Sequence, residues 1–307
     1  MSDLIVSVII CTYNREKFLP DSLDSVAAQQ ADKNAFELVV VNNNCTDRTD
    51  DIVRQFIEKH PDLKVTYVVE TKQGLSHARN RGILESKGKY VSFIDDDAIA
   101  EPDFVGQLIH FFAKNPQATA VGGPILAKYE GRSQPPAWDN KYSISLFTGH
   151  YVRGDQSFKY TGYDYPRGSN MTISKEFLEK HNLRFDPNLG RIGKDGTSSE
   201  EKILFGAIRK LRGEFYYDPS LVVHHQVDAY RMEHSFLVKL SKGLGRSQFI
   251  AYRQMGLLNL ITPMMIIFFK MGAAVILAVG YLLQGKPAVS WHLLKFRWYV
   301  LLGFFNL

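Results

Sequence analysis

Tyr90-Val91-Ser92-Phe93-Ile94-Asp95-Asp96-Asp97 is the stretch on which the reading of this chain turns. Its first part is a short, mainly apolar run, which reads as a buried strand. Three adjacent carboxylates follow. In open α/β sheets ligands bind outside the carboxyl ends of strands, so the triplet stands where a site is expected. Three neighbouring negative charges repel one another. A divalent cation with oxygen ligands would offset that, and such ions usually travel with substrate phosphates. The same residues also suit a solvated acidic turn.

Around this strand the chain alternates between two periodicities. Residues 4–11, 37–41, 64–69, 89–94 and 120–127 are apolar, β-branched runs, expected as strands. Residues 17–30, 47–60, 76–86 and 102–113 carry helical spacing, with Asp in the first turn of the second and Pro102 opening the fourth. Such alternation predicts an α/β fold with a mostly parallel central sheet flanked by helices. Residues 128–165 read as loops and short strands over a site. Residues 174–181 and 199–211 read as helices, and 215–223 as a late strand.

The 307 residues suit one large domain with an appendage or two small domains, and 45% apolar and 22% charged residues are ordinary for a globular chain. Cys11 and Cys45 do not make a disulfide framework, which favours a reducing compartment. The N-terminus reads without a basic n-region or signal peptide. Charge is uneven. Residues 230–307 hold nine Lys or Arg against one acid, Glu233, whereas the whole chain is +5, which leaves the first 229 residues at −3. That basic end is also the most apolar, a membrane-surface signature more than a nucleic-acid one. Within it, 256–269 and 271–283 are apolar stretches of about 13 residues each, interrupted by Pro263, Lys270 and Gly272. Each is short of the roughly 20 residues that cross a bilayer. In-plane insertion is therefore expected in preference to a spanning hairpin over 257–283, which would set Lys270 near the bilayer centre. Residues 291–305 mix Trp, Phe and Tyr with Lys295 and Arg297, again an interfacial pattern.

Several further groups carry chemistry. Asn42, Asn43 and Asn44 follow the second strand, where amides suit a nucleobase or ribose, or a plain turn with a helix cap. Arg79, on the helix before the aspartate strand, suits a phosphate or the aspartates themselves. Glu200 and Glu201 open a helical pattern, where acids favour the dipole; one of them would also serve as a general base, its pKa raised by the other. His224 or His225 could join an aspartate at a metal, and Arg231, Lys242 and Arg246 follow as cations for a diphosphate. Neither a P-loop signature nor a dinucleotide-binding glycine fingerprint occurs at the first strand, and no Cys cluster has zinc spacing.

Taken in order, these residues resemble family 2 glycosyltransferases of the GT-A fold, over about residues 6–247. Val8-Ile9-Ile10-Cys11-Thr12-Tyr13-Asn14-Arg15 is similar to the family's opening strand, and the resemblance places Thr12, Tyr13, Asn14 and Arg15 in the nucleotide-sugar pocket. Asn42 and Asn43 stand in its base-binding turn, where the family usually has Asp in place of Asn42. Gly74 to Gly82 resembles the A-R-N-x-G helix, with Arg79 on the donor side. Asp95-Asp96-Asp97 resembles the D-x-D element, implying Asp97 on the metal, Asp95 on the ribose or metal, and Asp96 beside them. Gly168-Ser169-Asn170-Met171 is similar to the acceptor-side loop. Glu200 and Glu201 with Leu204 match the acidic element, with Glu201 as base, and Ser199 replaces its glycine. His225-Gln226-Val227 before Arg231 matches the H-x-V…R element, favouring His225 over His224 at the metal.

The resemblance implies an inverting hexosyl- or N-acetylhexosaminyl-transferase that moves a sugar from a nucleoside diphosphate to an acceptor hydroxyl in cell-surface polysaccharide or glycolipid assembly. It implies Mn2+ or Mg2+ as cofactor, a saccharide or lipid-linked acceptor, and no nucleic-acid partner. Residues 1–230 are expected as the catalytic domain. Residues 231–307 are expected as a helical, membrane-associating extension at the cytoplasmic face of the cell membrane. The rivals are a nucleotide-sugar-binding module without turnover and a nucleotidyltransferase.

Overall fold

The computed structural model describes residues 4–132, 136–138, 140, 142, 147–162, 164–189, 200–254 and 257–305. They form two compact units, Met1–Lys128 with His150–Gln226 and Tyr129–Gly149 with Val227–Leu307.

The first unit starts with the β/α alternation read from the sequence: β1 (Val6–Thr12), α1 (Leu19–Ala27), β2 (Phe36–Asn42), α2 (Thr49–Lys59), β3 (Val65–Val69), α3 (Leu75–Glu85) and β4 (Tyr90–Asp95). There follow β5 (Ala98–Ala100), α4 (Phe104–Lys114), β6 (Ala120–Gly122), β7 (Ile125–Tyr129), β8 (Phe158–Lys159), β9 (Asn170–Ser174), α5 (Lys175–Lys180), α6 (Glu200–Lys210), β10 (Phe215–Tyr217) and β11 (Val223–Val227). The main sheet runs β3-β2-β1-β4-β9-β6-β10-β8. It is parallel from β3 to β4, and β9 lies antiparallel to both β4 and β6. A small second sheet runs β5-β11-β7.

The pleat sends alternate residues to opposite faces. Val6, Val8 and Ile10 of β1 join a core with Leu23 of α1, Phe56 of α2 and Phe104 of α4. Ile9, between them, joins the other core with Ile83 of α3, Leu178 of α5 and Phe205 of α6. Burial on both faces explains why these strands read as continuous apolar runs. Each such side chain contributes about 1.5–3 kcal/mol when fully buried.

Four details depart from the sequence reading. Pro102 lies in the turn before α4 and not in its first turn. The run 120–127 is two strands in two sheets, separated by Gly123-Pro124. Proline supplies no N–H to a ladder, and a Cβ on Gly123 would stand 2.2 Å from the Leu221 carbonyl oxygen. The run 215–223 likewise divides into β10 and the start of β11. Asn170 and Met171, placed by the resemblance in the acceptor-side loop, open the strand β9, and Ser174, read as the start of a helix, ends it. Ser199, at the predicted start of α6, and Gly256, at the start of the first apolar stretch, lie outside the described residues.

The second unit is helical: α7 (His234–Gln254), α8 (Ile261–Leu283) and α9 (Pro287–Phe304). Phe147, Leu237, Phe296 and Val300 form its core, and Trp138 stacks on His292 with ring centroids 4.2 Å apart. The hairpin considered for 257–283 is absent, because Ile261–Leu283 is one continuous helix. Pro263 falls in its first turn, where a proline is tolerated, and neither Lys270 nor Gly272 interrupts it. At 23 residues it is about 34 Å long, so length alone would let it cross a bilayer. Its buried face is Pro263, Ile267, Ala274 and Ala278, whereas Met265, Phe268, Phe269, Ile276 and Leu283 are exposed.

Candidate active site

Strand register collects the expected residues at one edge. Cys11 pairs with Asp95 across β1 and β4, and Thr12 pairs with Asn42 across β1 and β2. These are carboxyl ends of parallel strands, where α/β sheets bind ligands. The antiparallel neighbour β9 puts Asn170 opposite Ile94, so the tight turn from Arg167 to Asn170 enters at the same edge.

Asp97 anchors one cluster. β5 pairs with β11 so that Ala98 lies opposite His225, and the Gln226 amide donates to the Asp97 carbonyl at 2.7 Å. His225 Nε2 then lies 3.3 Å from Asp97 Oδ1, while Arg15 donates to Asp97 Oδ2 at 3.0 Å. His224, on the opposite face of the same strand, meets Glu101 at 2.5 Å instead. Asp96 is buried, and burial followed by the Asp97 charge pushes its carboxyl up to about 7, with Arg15 and the Thr12 hydroxyl pulling it back.

Arg79 anchors the second cluster. Its guanidinium is 3% exposed, donating to Glu200 Oε1 at 3.1 Å and to Glu201 Oε1 at 3.2 Å, with Asp95 at 3.9 Å. The rings of Phe93 and Phe185 flank it at 5.9 and 5.2 Å. Asn80, next to it, donates to the Phe185 carbonyl and accepts from the Phe185 amide, which fixes one of those rings. Glu201 Oε2 accepts from the Gly168 amide at 3.1 Å. A Cβ on Gly168 would stand 1.9 Å from Glu201 Oε1 and 2.6 Å from Arg79 Nη2, so a side chain there would displace both. Burial raises the Glu201 pKa above the ordinary carboxylate range and Glu200 adds to the rise, whereas Arg79 opposes it. Arg79, expected on the donor side, is thus bonded to the acids.

The asparagine turn has a structural reason of its own. Asn42 donates to the Tyr67 hydroxyl at 2.8 Å and accepts from the Cys45 amide at 2.8 Å. Tyr67 donates in turn to Asp50, at 3.0 Å, and burial pushes its own pKa up to about 12. Asn43 donates to the carbonyls of Glu70 and Lys72 and accepts from Gly74, tying β2 to the start of α3. Asn14, in the left-handed region at φ 52°, bonds across to the Thr46 amide and hydroxyl. Tyr13 is exposed beside it. Asn170 donates to the carbonyls of Pro124 and Leu221, and Ser169 is half-buried in the turn before it. Arg231 belongs to the second unit, over the Phe236 ring at 6.0 Å. Cys11 is pushed up to about 12 by burial and is no nucleophile at neutral pH.

Among the described residues no three His, Cys, Asp or Glu side chains gather as a ready metal cluster. Asp97 and His225 supply two donors, and His225 Nδ1 is buried without a hydrogen-bond partner. Mg2+ and related ions commonly take one or two carboxylates and fill the remaining positions with substrate phosphates and water. The residues present therefore fit an ion that arrives with a diphosphate, and Asp95 turns toward Arg79 instead. The Tyr67–Asp50 support of Asn42, the Phe185 wall and the steric demand at Gly168 were not read from the sequence. The only signal for any of them was Asn80 inside a helix, where a side chain that competes with the backbone is unfavourable unless it bonds elsewhere.

A doubly flanked sheet with acids at its carboxyl edge defines an α/β fold with a ligand site at its strand ends, and the comparisons with known proteins place it. The family model described as glycosyl transferase family 2 matches residues 7–181. The glucosyl-dolichyl phosphate glucuronosyltransferase of Haloferax volcanii is 30% identical over 247 residues, 79% of this chain and 76% of that protein. The mannosyltransferase PcManGT from Pyrobaculum calidifontis, in complex with GDP-Man and Mn2+, superposes with a TM-score of 0.62 at 21% identity, over 98% of this chain and 86% of that one. Residues 1–349 of Staphylococcus aureus TarS, in complex with UDP, give a TM-score of 0.53 at 18% identity, over 78% of this chain and 65% of that one. The chain belongs to glycosyl transferase family 2. It is therefore a glycosyltransferase.

Proposed function

We propose that Glu201 is the general base of this transfer and that Asp97 and His225 hold the diphosphate end of the donor through Mn2+ or Mg2+. The observation that carries the reading is the seat of Glu201: a half-buried carboxylate fixed between Arg79 and the Gly168 amide, at the sheet edge that also bears Asp95. Its raised pKa suits a base that must gain a proton in the transition state. Glu201 takes the proton of the acceptor hydroxyl as that oxygen forms its bond to the anomeric carbon. The bond from that carbon to the diphosphate breaks on the opposite side, and its electron pair leaves with the phosphate oxygen. Attack and departure on opposite faces invert the centre. A divalent cation at Asp97 would supply stabilisation of the charge that builds on the diphosphate. Arg15, 3.0 Å from Asp97, brings a fixed positive charge to the same place. Thr12, Tyr13 and Asn14 line the donor end of β1.

The acceptor is a saccharide or lipid-linked sugar, a reading supported by the name of the Haloferax relative. Residues 1–230 act as the catalytic part. Residues 231–307 rest on the cytoplasmic face of the membrane, supported by their basic charge and the exposed apolar face of α8. Purified protein assayed against a panel of UDP- and GDP-sugars, with and without Mn2+, tests the whole. Thermal stabilisation by one donor that requires Mn2+ is the expected result. The metal assignment fails if donor binding is indifferent to Mn2+ and to Asp97→Asn alike.

A further inference from the structure

In the second unit, a partly open cleft between α7, α8 and α9 is lined by Gln248, Ile266, Ile267, Lys270, Arg297 and Val300. Arg297 carries the argument. Its Nε is buried and has no hydrogen-bond partner, and its described neighbour is the Phe296 ring at 4.8 Å. Burial lowers its pKa, and no acid among the described residues acts in the other direction. The sequence excludes an acid from these helices: residues 234–307 contain eight Lys or Arg and no Asp or Glu. A half-buried guanidinium without a counter-charge is costly, and a bound anion removes that cost. Gln248 adds an amide and Lys270 a second cation to the same cleft.

The surroundings say where the anion comes from. Exposed Ile266 and Phe269 flank Lys270 along α8, and exposed Trp291 and Trp298 flank Lys295 and Arg297 along α9. Lys295 lies over the Trp291 ring at 5.1 Å. Aromatic and apolar side chains interleaved with cations are the signature of a helix pair at the level of lipid headgroups. Arginine pairs with phosphate through a planar fork of donors.

We infer that Arg297, Lys270 and Gln248 form a receptor for the phosphate group of an anionic membrane lipid. The inference rests on the membrane reading of residues 231–307 and deepens it. Lys270, midway along α8, then sits at the headgroups, so α8 lies in the membrane plane instead of crossing it.

The test is co-sedimentation of the full-length protein with vesicles of phosphatidylcholine alone and of phosphatidylcholine with phosphatidylglycerol. Wild type prefers the anionic vesicles. Arg297→Gln loses about tenfold or more of that binding, and Lys270→Gln, at an exposed position that leaves the fold undisturbed, falls in the same direction. Lys286→Gln, an equal change of net charge outside the cleft, loses about fivefold at most, the share of one surface cation. Equal losses for the three variants reduce the effect to diffuse charge and overturn the site, as does unchanged binding by Arg297→Gln. Wild type that binds neither vesicle overturns the membrane reading itself. A parallel thermal melt with inorganic phosphate separates the two sources. Stabilisation that depends on Arg297, combined with vesicle binding that does not, assigns the cleft to free phosphate and overturns the lipid.

Discussion

Two ion clusters share the carboxyl edge of one sheet and are built in opposite senses. Around Asp97 a carboxylate faces two basic side chains, Arg15 at 3.0 Å and His225 at 3.3 Å. Around Arg79 a single cation faces three acids, Glu200, Glu201 and Asp95. The first arrangement welcomes a polyanion and a cation that travels with it. The second has negative charge in surplus, so accepting a proton relieves repulsion. The difference separates donor handling from proton handling, and each part should fail in its own way when altered.

The largest effect is expected from a paired comparison. Glu201→Gln keeps the shape and the Arg79 contact but cannot take a proton, so transfer falls by about 10²–10⁴-fold while titrated donor affinity stays near wild type. Asp97→Asn loses transfer together with Mn2+-dependent donor binding. Should Glu201→Gln retain ordinary turnover, or should both variants lose donor binding alike, the division between the clusters would be wrong.

Arg79→Gln sharpens the same contrast. It leaves the buried Glu200 and the half-buried Glu201 without their cation, a change that costs about 3 kcal/mol. It also removes the main influence that lowers the Glu201 pKa, so the acid limb of kcat/KM moves to higher pH. Arg79→Lys keeps the charge without the fork and should recover most of the pH position but less of the stability. A pH–rate profile that does not move would mean that Glu201 is not the group that titrates.

Gly168→Ala probes the seat of the base more gently. The added Cβ meets Glu201 Oε1 at 1.9 Å, so the carboxylate must shift. An ångström of misplacement near the chemistry costs up to about 100-fold, and kcat should carry the loss while donor KM stays put.

Much of this edge was legible in the sequence because it depends on local signals. Continuous apolar runs gave the strands of the parallel half, and the residues at their ends follow from register. β9 was hidden, because Asn170–Ser174 is only five residues long and begins in a turn of small polar residues. Its antiparallel pairing with β4 is a long-range fact with no local trace. The same holds for the bonds of Asn42 and Asn43. A turn that binds a ligand and a turn that binds its own chain use the same residue type. The pairing of Arg79 with Glu200 and Glu201 spans more than 100 residues of chain, and only its ends were visible. α8 shows the opposite error: Pro263 and Gly272 looked like breaks, yet a proline in the first turn and a single exposed glycine leave a helix intact.

Asp96 offers the smallest effect and a check on the electrostatics of the triplet. Its carboxyl is raised from an ordinary 3.8 to about 7, first by burial and then by Asp97. The folded protein therefore holds this proton more tightly than the unfolded chain. Stability contributed by the protonated form is complete below the unfolded value and is lost as pH rises through about 7. Asp96→Asn carries no such loss. In chelator, so that no metal offsets the charge, the variant should be more stable than wild type by about 1–2 kcal/mol at pH 8, and the gap should close toward pH 4. A gap that is flat with pH would place the Asp96 charge in solvent and leave the Asp97 cluster with one carboxylate fewer to balance against Arg15 and His225.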